Sequence, residues 1–187
     1  MRVIAGTAKG RTLKAPKGDS TRPFLDSVKE SAFSILGGAV PGSVVLDLFA
    51  GSGSLAIEAL SRGADRAVPV EKNARAISCL KINLEATGFA SRGRVIRAPL
   101  PQALSRLEGQ FDLVFVDPPY GRSLIRPVLE GLAERGLLSD RGVVMVHQPA
   151  REDLPNGIPN LCLVGKRVYG QATLGFYQPE SGSAGRD

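Results

Sequence analysis

Short apolar runs and helical patterns alternate along most of this chain. The runs are Val44-Val45-Leu46-Asp47-Leu48, Ala67-Val68-Pro69-Val70, Arg94-Val95-Ile96, Phe111–Val116 and Gly142–Val146. Between them, Ser54–Arg62, Ala74–Thr87, Leu100–Leu107 and Ser123–Arg135 carry helical patterns. Strands that are apolar throughout and alternate with helices predict a parallel sheet covered on both faces. Upstream, Phe24/Leu25, Val28, Ala32/Phe33 and Ile35/Leu36 fall on one face of a helix. Gly37-Gly38 ends that helix and Pro41-Gly42 turns the chain. Residues 2–4 and 11–14, around Gly6 and Gly10, predict a small hairpin. The rhythm changes near the C-terminus, where Leu161–Tyr169 and Ala172–Gln178, separated by Gly170-Gln171, predict an antiparallel hairpin. The expected architecture is α/β and Rossmann-like, with a mostly parallel seven-stranded sheet. Its parts are an N-terminal extension over 1–38, a main domain over 39–179 and a disordered polar tail over 180–187.

Composition narrows the class. With 187 residues and 43% apolar content the chain has the size of one domain and the make-up of a globular one. No apolar run approaches the ~20 residues that a membrane-spanning helix needs. Met1-Arg2-Val3-Ile4-Ala5-Gly6 lacks the apolar stretch of a secretory signal, so a cytoplasmic protein is expected. Cys79 and Cys162 are too far apart for a zinc site or a disulfide framework and are expected as small buried hydrophobes. No metal and a monomeric state are expected.

Charge is uneven. Residues 1–22 hold six basic groups, Arg2, Lys9, Arg11, Lys14, Lys17 and Arg22, against the single acid Asp19. That segment carries +5 of the formal +6, and it points to a phosphate-bearing partner. Aromatic residues are few there, so contacts to backbone phosphates fit better than base stacking.

Two motifs carry candidate chemistry. Asp47-Leu48-Phe49-Ala50-Gly51-Ser52-Gly53 follows the first strand and opens a helix. Gly51 and Gly53 let the backbone approach a ligand at a helix N-terminus, and Glu71, 20 residues after Gly51, stands where an acid accepts ribose hydroxyls. Gly51-x-Gly53-x-x-Ala56 fits a dinucleotide or a nucleoside-type cofactor equally well. The second motif is Asp117-Pro118-Pro119-Tyr120, directly after the fourth strand. Two prolines there fix the turn and remove two donors, which leaves a carbonyl free beside a carboxylate and an aromatic face. Two acceptors and a stacking surface suit a planar exocyclic amino group. Holding both N–H bonds favours the pyramidal geometry with the lone pair outward that displacement requires.

Together the two motifs resemble the amino-group branch of the S-adenosylmethionine-dependent methyltransferases. Gly10-Arg11-x-Leu13, Thr21-Arg22-Pro23, Asp26, Val28-Lys29-Glu30 and Leu60-Ser61-Arg62-Gly63-Ala64 narrow the resemblance to the bacterial 16S ribosomal RNA guanine-N2 methyltransferases. It runs from residue 1 to about residue 178. It implies methyl transfer from S-adenosylmethionine to N2 of guanine 966 in the small ribosomal subunit or its assembly intermediate. It further implies that Asp47, Phe49, Ala50, Gly51, Gly53, Glu71, Lys72 and Leu100 bind the cofactor. Asp117, Pro118, Pro119 and Tyr120 would be catalytic, and Lys9, Arg11, Lys14 and Arg22 would meet RNA.

The chain departs from the family pattern at three places. Phe24 follows Thr21-Arg22-Pro23 where relatives have a small polar residue. The loop Ala98-Pro99-Leu100-Pro101 has no acid or amide for the adenine amino group. His147-Gln148 stands where relatives tend to be acidic, and His147 is expected to be structural or at the substrate rim. Competing readings are amino methylation of adenine or cytosine in DNA, a NAD-binding oxidoreductase, and a non-catalytic RNA-binding protein on the same fold.

Overall fold

The computed structural model describes residues 1–16, 26–119 and 123–180. Its strands are β1 (Val44–Leu48), β2 (Arg66–Glu71), β3 (Ile96–Arg97), β4 (Phe111–Val116), β5 (Leu138–Pro149), β6 (Leu161–Tyr169) and β7 (Ala172–Pro179). They form one sheet in the order β3-β2-β1-β4-β5-β7-β6. β1 to β5 are mutually parallel. β7 runs antiparallel to both β5 and β6, wedged between them. The described helices are α1 (Asp26–Leu36), α2 (Ser54–Ser61), α3 (Ala74–Thr87) and α4 (Ile125–Glu134). None is long and apolar enough to cross a membrane.

Strand periodicity sorts the core into two layers. Val45, Leu113, Phe115, Met145 and Leu174 face α1, α2 and α3. Leu46, Leu48, Val114, Val116, Val144 and Val146 face α4. Both sets are fully buried, which is why these strands read as near-continuous apolar runs.

Some boundaries differ from expectation. The N-terminal hairpin forms, with Val3 N on the Arg11 carbonyl, Gly10 N on the Val3 carbonyl and Leu13 N on the Met1 carbonyl. Its one antiparallel bridge, Arg2 to Thr12, is too short to make strands. Residues 102–106 make a 3-10 turn rather than an α-helix, with Pro99 and Pro101 removing donors at its start. β3 is shorter and later than Arg94–Ile96, because the pairing made at Gly93 lapses until Ile96. β5 starts four residues before Gly142, since Leu138 already pairs with Phe111 across a register shift. The cysteines are not buried: Cys79 is half-buried, and Cys162 is exposed on the edge strand β6. An edge strand with one face toward solvent has no interior for alternate side chains. Residues 24 and 25 of the expected first helix and residues 181–187 of the expected tail lie outside the described residues.

Helix α2 is buried along its whole length, including Ser54, Glu58 and Ser61. These three lie on one helical stripe; Glu58 and Ser61 meet the N-terminal segment, and Ser54 meets Lys29 of α1. The Glu58 carboxylate accepts from the amides of Ile4 (2.8 Å) and Ala5 (3.0 Å) and from Arg62 Nε (2.8 Å). Lys29 Nζ lies 3.5 Å from it, with both side chains fully enclosed. Burial lowers the Lys29 pKa against the opposing pull of Glu58. The Lys29 ammonium also donates to Ser54 Oγ and to the Arg2 carbonyl. Ser61 Oγ accepts from Ala8 and donates to the Ala5 carbonyl. Gly6 crosses this stripe with φ +82, so close that a Cβ would stand 1.8 Å from the Ser61 oxygen. Val3, Ala8 and Leu13 join the same apolar layer as α1 and α2.

Candidate active site

Register assembles the site. Leu48 sits opposite Val70 and Val116, and Val116 opposite Val146, all four facing α4. The residue after each of the last three therefore turns to the other face. This puts Glu71, Asp117 and His147 at one level on the C-terminal edge, with Asp47 on the same face of β1. The adjacency is direct: His147 Nδ1 and Asp117 Oδ1 are 2.7 Å apart. Strand C-termini are where open α/β sheets bind ligands.

Asp47 is buried at 1% exposure and accepts from the Ala56 amide at 3.0 Å in the first turn of α2. Burial pushes its carboxyl up to about 8, with the Asp117 and Glu71 carboxylates acting the same way and the Ala56 hydrogen bond opposing. Glu71 Oε2 accepts from Gly51 N at 2.9 Å, and Oε1 from Lys72 N and Asn73 N, both at 2.8 Å. The acid twenty residues downstream thus holds the glycine turn in shape. Gly53, the N-cap of α2 with φ +87, would bring a Cβ within 2.1 Å of Leu80 Cδ1. Gly51, at φ +56, has open space where its Cβ would be. The main-chain bond from Ala50 to Val70 joins this turn to β2 at 3.0 Å.

The other expected residues are placed as follows. Phe49 adopts φ +65, leaves strand geometry and packs on the α4 side, as does half-buried Leu100. The Lys72 side chain is exposed. Pro118 is buried and Pro119 exposed after β4, while Tyr120 lies outside the described residues. Lys9, Arg11 and Lys14 are exposed, and Arg22 lies outside the described residues. Arg11 is engaged within the fold: its guanidinium donates to the Ala86 carbonyl at 3.0 Å, at the negative end of α3.

Two positions gain roles that their sequence context did not disclose. Asn83, 1% exposed on α3, accepts from Lys14 N and donates to the carbonyls of Lys14 and Ser52. It fastens the basic segment to the glycine turn. The available signal was an asparagine set among Leu80 and Leu84 in a helix, where its propensity is poor. His147 is the second: its bond to Asp117 depends on β4 and β5 being neighbours.

The residues fit a nucleoside-type cation. Three carboxyl groups, Asp47, Glu71 and Asp117, converge on one edge, and a positive ligand there opposes the rise in the Asp47 pKa that burial and the other two produce. A carboxylate has about four acceptor positions, and Glu71 spends three on main-chain amides, leaving one for a hydroxyl. The space over Gly51 admits close approach.

A family model described as "Conserved hypothetical protein 95" matches residues 1–178. The chain belongs to this family. YlbH of Bacillus subtilis (strain 168) is 38% identical over 181 residues, covering 95% of this chain and 98% of that one. Ribosomal RNA small subunit methyltransferase D of Escherichia coli (strain K12) is 35% identical, over 97% of this chain and 91% of that protein. The solved structure of yhhF from Escherichia coli superposes with a TM-score of 0.86 at 33% identity, covering 96% of this chain and 98% of that one. The fold is the Rossmann-like fold of the S-adenosylmethionine-dependent methyltransferases. The strand β7 between β5 and β6 separates it from the dinucleotide order 3-2-1-4-5-6, so the oxidoreductase reading loses its structural basis.

Proposed function

We propose that this chain transfers the methyl group of S-adenosylmethionine to the exocyclic N2 of guanine 966 in 16S rRNA of the small ribosomal subunit. The observation that carries the reading is the meeting, on one sheet edge, of the glycine turn with Glu71 and of Asp117 held by His147 before Pro118-Pro119. The name of the Escherichia coli relative supports the choice of small-subunit RNA over DNA.

Asp47, Phe49, Ala50, Gly51, Gly53, Glu71, Lys72 and Leu100 form the cofactor side. When bound, S-adenosylmethionine supplies an electrophilic methyl on sulfur, and the neutral thioether is left behind. His147 occupies one oxygen of Asp117, so the second oxygen and the Pro118 carbonyl are the acceptors for the two N2 hydrogens. Holding both aims the nitrogen lone pair at the methyl carbon. The Asp117 carboxylate would take the N2 proton released when the amino group gains the methyl, and pass it to solvent. Tyr120 supplies the stacking face and Pro119 the rigidity of the turn. Lys9, Arg11, Lys14 and Arg22, in the extension over 1–38, contact RNA phosphates beside a methyltransferase domain over 39–179. The protein acts as a cytoplasmic monomer without metal.

The test is methyl transfer from radiolabelled S-adenosylmethionine to unmodified small subunits, protein-free 16S rRNA and duplex DNA, with the product mapped by primer extension. Label at one guanine of the small-subunit RNA is expected. Label on DNA, or on another base of the RNA, would refute the assignment.

A further inference from the structure

The Asp-Pro-Pro-Tyr turn holds an amino group but does not distinguish the bases that carry one. A cavity of about 390 Å³ beside it offers the means to do so. That volume lies within the range of roughly 300–1,000 Å³ of small-molecule sites. Pro118, Pro119, His147 and Gln148 form part of its wall, and the connection after β5 contributes Glu152. Asp117 is outside the wall, yet its chain neighbour Pro118 and its hydrogen-bond partner His147 are both in it. The cavity therefore adjoins the acceptors for the amino group.

Three polar groups of this wall are already engaged. His147 bonds Asp117. Gln148, 2% exposed, donates its amide to the main-chain carbonyl of Glu152. Arg126 donates to Glu130 and to the Asn156 carbonyl. Glu152 differs. Its backbone is fixed by the Gln148 bond and by its own amide on the Pro149 carbonyl at 3.0 Å. The residue is half-buried, and its carboxylate has no hydrogen-bond donor among the described residues.

Base chemistry gives such a carboxylate a selective partner. In adenine and cytosine the ring nitrogen beside the amino group is a bare acceptor. In guanine the amino group has a ring N–H beside it, at N1. A carboxylate next to the amino-group acceptors bonds that N–H in guanine, and faces a lone pair in the other two. A buried acceptor left facing an acceptor is costly, so the interaction discriminates.

We propose that this cavity receives the target guanine and that Glu152 accepts its N1–H, which makes Glu152 the residue that selects guanine over the other amino-bearing bases. The inference rests on the methyl-transfer reading above and goes beyond it by naming the selecting group.

The test uses small subunits reconstituted with guanine or 2-aminopurine at the target nucleotide. 2-Aminopurine keeps the 2-amino group but presents an acceptor at N1. Single-turnover methyl transfer by the wild-type protein is expected to favour guanine by about 10- to 100-fold, the discrimination of one good base-edge hydrogen-bond pair. In Glu152→Ala the ratio should fall to within about threefold, through slower transfer to guanine. Glu152→Gln, which keeps one acceptor oxygen and the side-chain volume, should lie between. Asp153→Ala, which removes the other carboxylate of the wall, should keep the wild-type ratio, because that residue is exposed. Loss of the preference in Asp153→Ala with retention in Glu152→Ala would overturn the assignment to Glu152. S-adenosylhomocysteine titration of each variant reports a folded cofactor side. An unchanged guanine preference in Glu152→Ala and Glu152→Gln, with wild-type transfer intact, would overturn this inference alone. Failure of the wild-type protein to methylate guanine-bearing subunits would bring down the methyl-transfer reading, and the pocket with it.

Discussion

The Asp117 carboxylate has two oxygens, and His147 lies 2.7 Å from one of them. Asp117→Ala removes the acceptor proposed for the amino group and leaves the hydrogen bonds of Asp47, Gly51 and Glu71 in place. Its kcat should drop by about 100-fold or more, as for loss of a positioned acid–base or electrostatic group, with S-adenosylhomocysteine affinity near wild type. Single-turnover kinetics beside calorimetric titration would show the split, and near-normal turnover would remove Asp117 from the chemistry. Asp47 behaves differently, because burial raises its pKa to about 8 from an unfolded value near 3.9. Between those values the folded chain holds a proton that the unfolded chain has released. Stability from this group is complete at low pH and is lost as pH rises through that window. Asp47→Asn does not titrate, so its stability relative to wild type should improve between about pH 5 and about pH 9 in urea melts of the ligand-free protein. The same variant should bind S-adenosylmethionine more weakly at high pH, where it lacks the wild-type charge. A pH-independent stability difference would place the titration elsewhere.

Helix α2 shows how an element can mislead when read alone. Ser54, Glu58 and Ser61 make a polar stripe of the kind that usually meets water. Here the stripe faces the N-terminal segment, and the amides of Ile4, Ala5 and Ala8 end on it. Glu58→Ala would strand the enclosed Lys29 ammonium and orphan two amides. Breaking a buried pair from one side costs about 3–5 kcal/mol, and chemical denaturation should register a loss of that order. Hydrogen exchange should show Ile4 and Ala5 losing protection first. Retained protection there would mean that apolar packing of Val3, Ala8 and Leu13 alone holds the segment. The long apolar elements were legible from their pattern: α3 spans Ala74–Thr87 and β4 spans Phe111–Val116, as expected. Short elements were less so. β3 has two residues and 102–106 is a 3-10 turn, because edge pairing and proline placement set these limits rather than periodicity.

For the whole molecule, the basic N-terminal segment and the carboxylate edge are linked through Asn83, which bonds both Lys14 and Ser52. The fold thus sets the basic segment next to the glycine turn. Replacing Lys9, Arg11 and Lys14 together by alanine should weaken binding to small subunits. The log–log salt slope should flatten by about one unit for each phosphate that the variant no longer neutralises. Filter binding across a salt series would measure it, and an unchanged slope would mean that these side chains stay clear of the RNA backbone. Arg11→Ala alone should also lower thermal stability slightly, since that guanidinium caps the end of α3.

The order of apolar runs, the glycine turn with Glu71, and Asp117 ahead of two prolines were fixed by local pattern and by chemistry that neighbouring residues carry with them. They were enough to name the fold class, the family resemblance and most of the candidate site. Pairings between residues far apart in the chain were beyond the reach of pattern: His147 on Asp117, Lys29 on Glu58, Asn83 across Lys14 and Ser52, and Glu152 beside the diproline turn. Each depends on which strands become neighbours and in what register. That is decided when apolar faces close on both sides of the sheet, and a slip of one residue would send Glu71, Asp117 and His147 to the opposite face.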